Sequence, residues 1–286
     1  MLDPILVDAA VAAGATVRFG TSVTGVRRDS EGRVVGVEGR DTHGRHFRHN
    51  ARWVVGADGI RSVVARAVGA AIERQGTGAT ACTYGYWSDL ETDGYHWIFR
   101  PDAGAGVIPT NGNQSCVFAA ASPERIGRGG LDVLRSVIAG ASPALAARLA
   151  DATAPTSVRT FSGLPGYMRR PWGPGWALVG DAGYWKDPIG AHGLTDALRD
   201  AELLTRAIIA TGSTDEADAL AHYHETRNRL SMPLFDVVDT IAGMTWTDAE
   251  IPDLLLRLSS AMSEEVDAVA HLDDLSDLAP VAGSLA

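Results

Sequence analysis

A mixed α/β fold is predicted, in which a sheet of α/β type with a β-meander is interrupted by an inserted antiparallel sheet and followed by a helical C-terminal region. Three observations predict it. The apolar runs ending at VVGADG (54–59) and WALVGD (176–181) each pass through a Gly-Asp turn into a helical pattern, the strand-loop-helix order of α/β units. Between them, from 76 to 170, aromatic and β-branched runs alternate with Gly, Asp and Asn turn signals, as antiparallel strands do. From Asp215 onward the pattern is largely helical.

Taken in order, residues 4–13 form a short helical pattern stopped by Gly14, and ATVRFGTSVTGV (15–26) is a strand. RVVGVEGRD alternates apolar and polar residues, HGR turns, and HFRHNARWVVGADG ends in a buried-strand run. IRSVVARAV is a helix that stops at Gly69, a C-terminal cap. Within the middle region ACTYGYW, YHWIFR and QSCVFAAA are strands, LDVLRSVIAG is a helix, and Ser142-Pro143 starts another. Thr247 and Glu250 have capping-box spacing at the start of a late helix. The expected units are 1–75, 76–170, 171–212 and 213–286, with no internal repeat.

Bulk composition narrows the function. With 286 residues, 45% hydrophobic and 21% charged, the chain buries a sizeable core. No run approaches the roughly 18 apolar residues of a membrane span, and no basic region precedes an apolar block as in a secretory signal. Two cysteines, Cys82 and Cys116, are too few for a disulfide framework, so a reducing cytoplasm is expected. The net charge of -10 argues against nucleic-acid binding. A small molecule is the expected partner, and oligomeric state is left open. The acidic stretch near the end, SEEVDAVAHLDDLSDLAP, reads as a solvated helix face and a frayed terminus.

The stretch LVGDAGYWKDPIGAHGLTDALRDAELL (178–204) admits three readings of Asp181: catalytic carboxylate, metal ligand, or part of a cofactor loop. A carboxylate just past the end of a buried strand accepts hydrogen bonds but repels phosphate, so its natural partner is hydroxyl-rich. Pro188, Gly190 and Gly193 let backbone approach a ligand before a helix begins near Thr195, where free N–H groups favour a partly negative atom. Only Asp187 and His192 stand nearby as further metal ligands, without recognised spacing, so no metal is expected. VVGADGIRSVV (54–64) is the second such turn; alone it reads as an ordinary Asp-Gly turn.

Together, in this order and flanking a sheet-rich region, the two motifs resemble the FAD-dependent aromatic-hydroxylase (p-hydroxybenzoate hydroxylase-like) type of flavoprotein monooxygenase. That family carries GADGxxSxVR and GDAAHxxxPxxGQGxNxxxxDAxxLA; here the positions read GADGIRSVVA and GDAGYWKDPIGAHGLTDALRDAELLT. LDPILVDAAVAAGATVRFGTSVTG also resembles the segment preceding the first motif. The resemblance implies a partial FAD/NAD(P)-binding fold, an incomplete Rossmann-like sheet, with 76–170 as the substrate domain. It implies that Asp181 binds the ribityl chain of FAD with Gly180 supplying the close turn. Pro188 and the backbone of Gly193, Leu194 and Thr195 would lie against the isoalloxazine. Asp58 and Gly59 would sit near the pyrophosphate and the nicotinamide path, Val23 near the adenine, and Asp200 would be structural. Tyr184 departs from the usual His, His192 from Gln, Thr195 from Asn and Ala65 from Arg.

The implied function is NAD(P)H-dependent hydroxylation or epoxidation of an apolar or aromatic small molecule, with FAD carrying the chemistry and no protein catalytic residue named. The alternatives are a flavin-dependent reductase or halogenase of the same fold, or a non-catalytic fragment needing a partner chain. The strand–GxGxxG–helix unit that opens the family is not seen: GTGATA at Gly76 stands in the wrong order, and GRGGLDVL at Gly127 lacks a third glycine at the required spacing. The chain is therefore expected to be the C-terminal part of a flavoprotein and to bind FAD poorly alone. His43, His46 and His49 alternate faces on a strand and His222 and His224 diverge on a helix, so neither set forms a metal site. Tyr84, Tyr86, Trp87, Tyr95, Trp97 and Phe99 either line a pocket or fill a core.

Overall fold

The computed structural model describes residues 2–275; the last eleven residues of the expected helical region lie outside the described residues. Helix α1 (Leu2–Ala12) has no buried residue, and Leu2, Ile5, Leu6 and Val11 are exposed along it. An antiparallel meander follows, with β1 (Thr21–Arg28), β2 (Val34–Asp41) and β3 (His46–Asn50) in that spatial order. Aspartates shape its turns: Asp29 accepts from the backbone N–H of Glu31 and Arg33, and Asp41 from those of His43 and Arg45. The expected strand from 15 begins only at Thr21, where the β2 partner Asp41 starts the ladder.

Strand β4 (Val54–Gly56) leads through the first Gly-Asp turn to helix α2 (Val63–Val68). Ser62 caps α2 by accepting from Ala65 N at 2.8 Å, so the helix starts at Val63 and not at Ile60 as expected, and Gly69 ends it in the left-handed conformation, the stop the sequence predicts. Strand β5 (Ile72–Gln75) then hands over to the inserted sheet. Its strands β6 (Ala81–Ser88), β7 (His96–Arg100), β8 (Ala103–Pro109), β9 (Gln114–Ala121) and β10 (Arg159–Phe161) lie in the order β10-β6-β9-β8-β7, all antiparallel.

One face of that sheet is covered by α3 (Pro123–Ile126), α4 (Leu131–Ala141) and α5 (Pro143–Asp151), with Trp87, Val107, Val117, Leu134 and Ile138 in the core between them. Ser142 caps α5 by accepting from Leu145 N at 3.2 Å, the predicted start. The opposite face looks toward the later part of the chain.

The chain returns through β11 (Tyr167–Arg169), β12 (Trp172–Gly173), β13 (Trp176–Leu178) and β14 (Tyr184–Trp185) to three helices, α6 (Gly193–Ala210), α7 (Glu216–Ala242) and α8 (Ile251–Ala270). Strand β13 pairs in parallel with β4, Trp176 opposite Val54 and Leu178 opposite Gly56. This pairing of segments far apart in sequence sets both Gly-Asp turns side by side at the carboxyl ends of neighbouring strands, where α/β sheets bind ligands. In the sheet order β12-β13-β4, β4 is an edge, and Val55 on it is exposed. Before α8, Thr247 N and Oγ1 both donate to Glu250 at 2.8 Å; the helix itself begins at Ile251, one turn later than the spacing predicts.

Candidate functional site

The strand ladder continues into the loops: Val179 N donates to the Gly56 carbonyl at 3.0 Å. Above it, the Tyr167 hydroxyl donates to the Asp181 carbonyl at 2.7 Å and lies 3.3 Å from that of Ile60, so one side chain spans both turns. Arg169 stacks over the Tyr167 ring at 4.2 Å and donates to the Ala182 carbonyl at 2.9 Å. Neither residue belongs to the sequence motifs, and no local signal marks them.

Gly180 is required on two counts. Its φ is +53°, and a Cβ there would lie 3.1 Å from the Cβ of Ala197 on α6. Its N–H donates to the Asp200 carboxylate at 3.0 Å, while Arg199 holds that carboxylate at 2.7 Å. Asp200 thus fastens α6 against the turn.

Asp181 is left differently. Among the described residues no hydrogen bond ends on its carboxylate, which is part-buried and would stand 3.8 Å from a Cβ on Gly193. Burial pushes its carboxyl up, Asp200 adds to the push and Lys186 opposes it. In front of it opens the N-terminus of α6, where His192 makes no side-chain cap and Leu194 is exposed. The amides of Gly193, Leu194 and Thr195 at this helix start are orphan donors. A part-buried acceptor without a donor, beside orphan donors, suits a ligand bearing hydroxyls and a partly negative edge.

Asp58 has a more local task. Its carboxylate accepts from Val63 N at 2.7 Å and Val64 N at 3.2 Å, closing the start of α2. Gly59 beside it has φ +73° and open space where a Cβ would be. Val23 lies on β1, which packs on α2.

Pro188 opens a single helical turn, residues 188–190, that Asp187 caps by accepting from Ile189 N at 3.0 Å. Asp187 also accepts from Thr80 N and Thr80 Oγ1, both at 2.6 Å. The second motif is thereby tied to the residue that precedes β6. Burial pushes the Asp187 carboxyl up, and these donors pull against it.

Between the inserted sheet and this turn lies a cavity of about 280 Å³, almost wholly apolar, walled by Tyr84, Trp97, Ile108, Phe118, Pro188 and Ile189. Within the predicted aromatic group, strand alternation sends only Trp87 to the face opposite Tyr84 and Tyr86; the rest are sorted by their position along the sheet. Tyr84 and Trp97 face the cavity, with Trp97 5.2 Å from Phe118; Trp87 fills the opposite core; Phe99 packs toward α7 and α8; and Tyr86 and Tyr95 are exposed. Cys82 and Cys116 also line the cavity as free thiols. Burial pushes Cys82 up to about 12, with Cys116 and Asp187 adding to it.

Ligand-capable atoms of His192, Asp196 and Glu265 lie within 4.8 Å of one another. Arg199 already stands among them, 3.1 Å from Asp196 and 2.9 Å from Glu265, and Lys186 pairs with Asp196. Two buried cations take the charge a metal would otherwise balance. His49 meets Arg18 at 2.7 Å and His224 meets Glu73 at 2.8 Å. Tyr184, in the position where the resembled motif has His, is buried against Phe235 and reaches the Ser231 carbonyl at 3.3 Å.

A parallel strand pair ending in two Gly-Asp turns, with an uncapped helix start facing a partnerless aspartate, is an α/β arrangement suited to a ligand at the strand ends. The chain belongs to the FAD binding domain family, which matches residues 1–237. It is 27% identical over 269 residues to the tetracenomycin B2 monooxygenase-dioxygenase of Streptomyces olivaceus, an alignment covering 86% of this chain and 45% of that one. It is 26% identical over 310 residues to digeranylgeranylglycerophospholipid reductase 1 of Methanopyrus kandleri, covering 100% of this chain and 74% of the relative. Its fold is similar to that of the flavin-dependent brominase Bmp2, with a TM-score of 0.75 at 19% identity over 91% of this chain and 69% of the brominase. The chain thus spans about half the length of the tetracenomycin relative. FAD fits the residues present: its ribityl hydroxyls would suit the partnerless Asp181 carboxylate, and the partly negative pyrimidine edge of its ring would suit the bare start of α6.

Proposed function

We propose that this chain is the cofactor- and substrate-holding part of an NAD(P)H-dependent FAD monooxygenase that works in the cytoplasm on a flat apolar or aromatic small molecule. The observation that carries the proposal is the shared wall. Pro188 and Ile189 belong to the loop that follows Asp181, and they also close the apolar cavity of the inserted sheet. A molecule in that cavity lies against the loop that would hold FAD.

In this reading Asp181 and Gly180 hold the ribityl chain, and the Gly193, Leu194 and Thr195 amides hold the pyrimidine side of the ring. Pro188 supports the ring; Asp58, Gly59 and Val23 complete the site toward the pyrophosphate and adenine. Bound FAD supplies electron transfer from NAD(P)H and activation of oxygen. The chain's own residues bind, orient and exclude water, because the cavity offers aliphatic and aromatic walls and thiols held neutral by burial. Residues 76–170 act as the substrate unit and the segments around 1–75 and 171–212 as the cofactor unit, with 213–286 bracing them.

The brominase-like fold supports a halogenase as the second reading. The test is a screen of flat apolar compounds for NAD(P)H consumption and oxygen uptake in the presence of FAD. Hydroxylated or epoxidised product supports the monooxygenase; product only with added halide supports the halogenase; no stimulation by any compound in protein with FAD bound removes both.

A further inference from the structure

Lys186 is the only lysine in the sequence; every other one of the 25 Lys and Arg residues is arginine. Its side chain is buried beneath the loop between the Gly-Asp turn and α6, its Cε 3.9 Å from where a Cβ on Gly190 would be. Its ammonium forms an ion pair with Asp196, in the first turn of α6, and sits 5.0 Å over the Tyr184 ring. Among the described residues Nζ has no further hydrogen-bond partner, so an ammonium with three donors is under-satisfied.

The charged groups around it come from every packed element. α6 presents Asp196, Arg199 and Asp200, α8 presents Glu265, the loops present Asp181 and His192, and α7 brings Arg227 to the far side of the cluster. Burial and Arg199 push the Lys186 ammonium down to about 7, against the pull of Glu265, Asp181 and Asp200. Arginine stays charged at any such site, whereas lysine in a buried one gives up its proton readily.

We propose that Lys186 is the positioning residue of the α6 N-terminus: as an ammonium it ties Asp196 to the loop that follows β14, and as a neutral amine it releases that tie. The presentation of the Gly193 to Thr195 amides then depends on one proton. That those amides serve FAD rests on the function proposed above; the tie itself does not.

Because the chain has a single lysine, protein labelled with 13C-lysine gives one side-chain ε signal. The proposal expects it to titrate within about one pH unit of neutrality; titration near the ordinary lysine value of about 10.4 overturns it. Amide hydrogen exchange of residues 190–196, corrected for intrinsic rates, should accelerate roughly tenfold between pH 6 and 9. In Lys186→Met it should be fast at both pH values, and in Lys186→Arg slow at both. Equal protection of this loop in parent and Lys186→Met at pH 6 also overturns the proposal. If Lys186→Met does not fold, the titration and the pH dependence of the parent decide alone. All of these use protein without FAD, so if Asp181→Ala leaves FAD affinity unchanged, the FAD assignment fails and this result still stands.

Discussion

Asp187 joins the loop after the second Gly-Asp turn to the residue that precedes the inserted sheet, and its removal should be felt in the stability of the whole chain. Its buried carboxylate accepts three hydrogen bonds, from Thr80 N and Oγ1 at 2.6 Å and Ile189 N at 3.0 Å. In Asp187→Ala two buried backbone N–H groups lose their acceptor, at about 1–3 kcal/mol each. The Thr80 hydroxyl can turn to another acceptor or to water and adds little. The expected loss is about 3–4 kcal/mol, among the larger costs of a single substitution. Asp187→Asn keeps the volume and one acceptor oxygen and should lose about half as much. Urea unfolding at pH 7, followed by tryptophan fluorescence and circular dichroism, measures both. An Asp187→Ala midpoint within about 0.5 kcal/mol of the parent would refute the reasoning, because water would then satisfy the loop as well as the carboxylate does.

Three further outcomes follow from the same geometry. Gly180→Ala should destabilise by about 1–2 kcal/mol, from the left-handed backbone at φ +53° and the contact with Ala197, and thermal unfolding checks it. For Glu265, burial raises the carboxyl, but the His192 hydrogen bond and the charge of Arg199 outweigh it, so the folded value lies below 4.5. A carboxyl lowered on folding stabilises above its unfolded value and loses that contribution as pH falls through its folded one. The stability gap between parent and Glu265→Gln should therefore be full at pH 6 and narrow below pH 4.5, and a gap independent of pH would contradict the assignment. Cys82, pushed up to about 12 by burial, should resist thiol reagents at pH 8 in the folded protein and react at an ordinary rate in urea.

Much of this fold is legible in the sequence because its signals are local. Gly69 ends α2 and Ser142 starts α5 through contacts within four residues, and each Gly-Asp turn sits at the end of its own apolar run. The residues that bring the two turns together are not local. Tyr167 spans from Ile60 to Asp181, and Glu265 of α8 reaches back to His192 and Arg199. Nothing in the spacing of either residue announces its partner. Asp187 reads as a spare carboxylate in the sequence; only the fold supplies the Thr80 backbone that occupies it. Lys186 did leave a trace, as the one lysine among arginines. The aromatic group could not be apportioned from sequence, because alternation divides a strand's residues between two faces without saying which face is open.

The proposed role of the partnerless Asp181 carboxylate in holding FAD is tested most directly by titrating FAD into the parent chain and Asp181→Ala, followed by quenching of flavin fluorescence. A hydrogen bond to a charged acceptor contributes about 1.5–3 kcal/mol, so the account predicts affinity weakened by roughly 10- to 100-fold in Asp181→Ala, with the unfolding midpoint little changed. The ratio carries the test, whatever the absolute affinity. Equal dissociation constants for the two proteins would contradict the account.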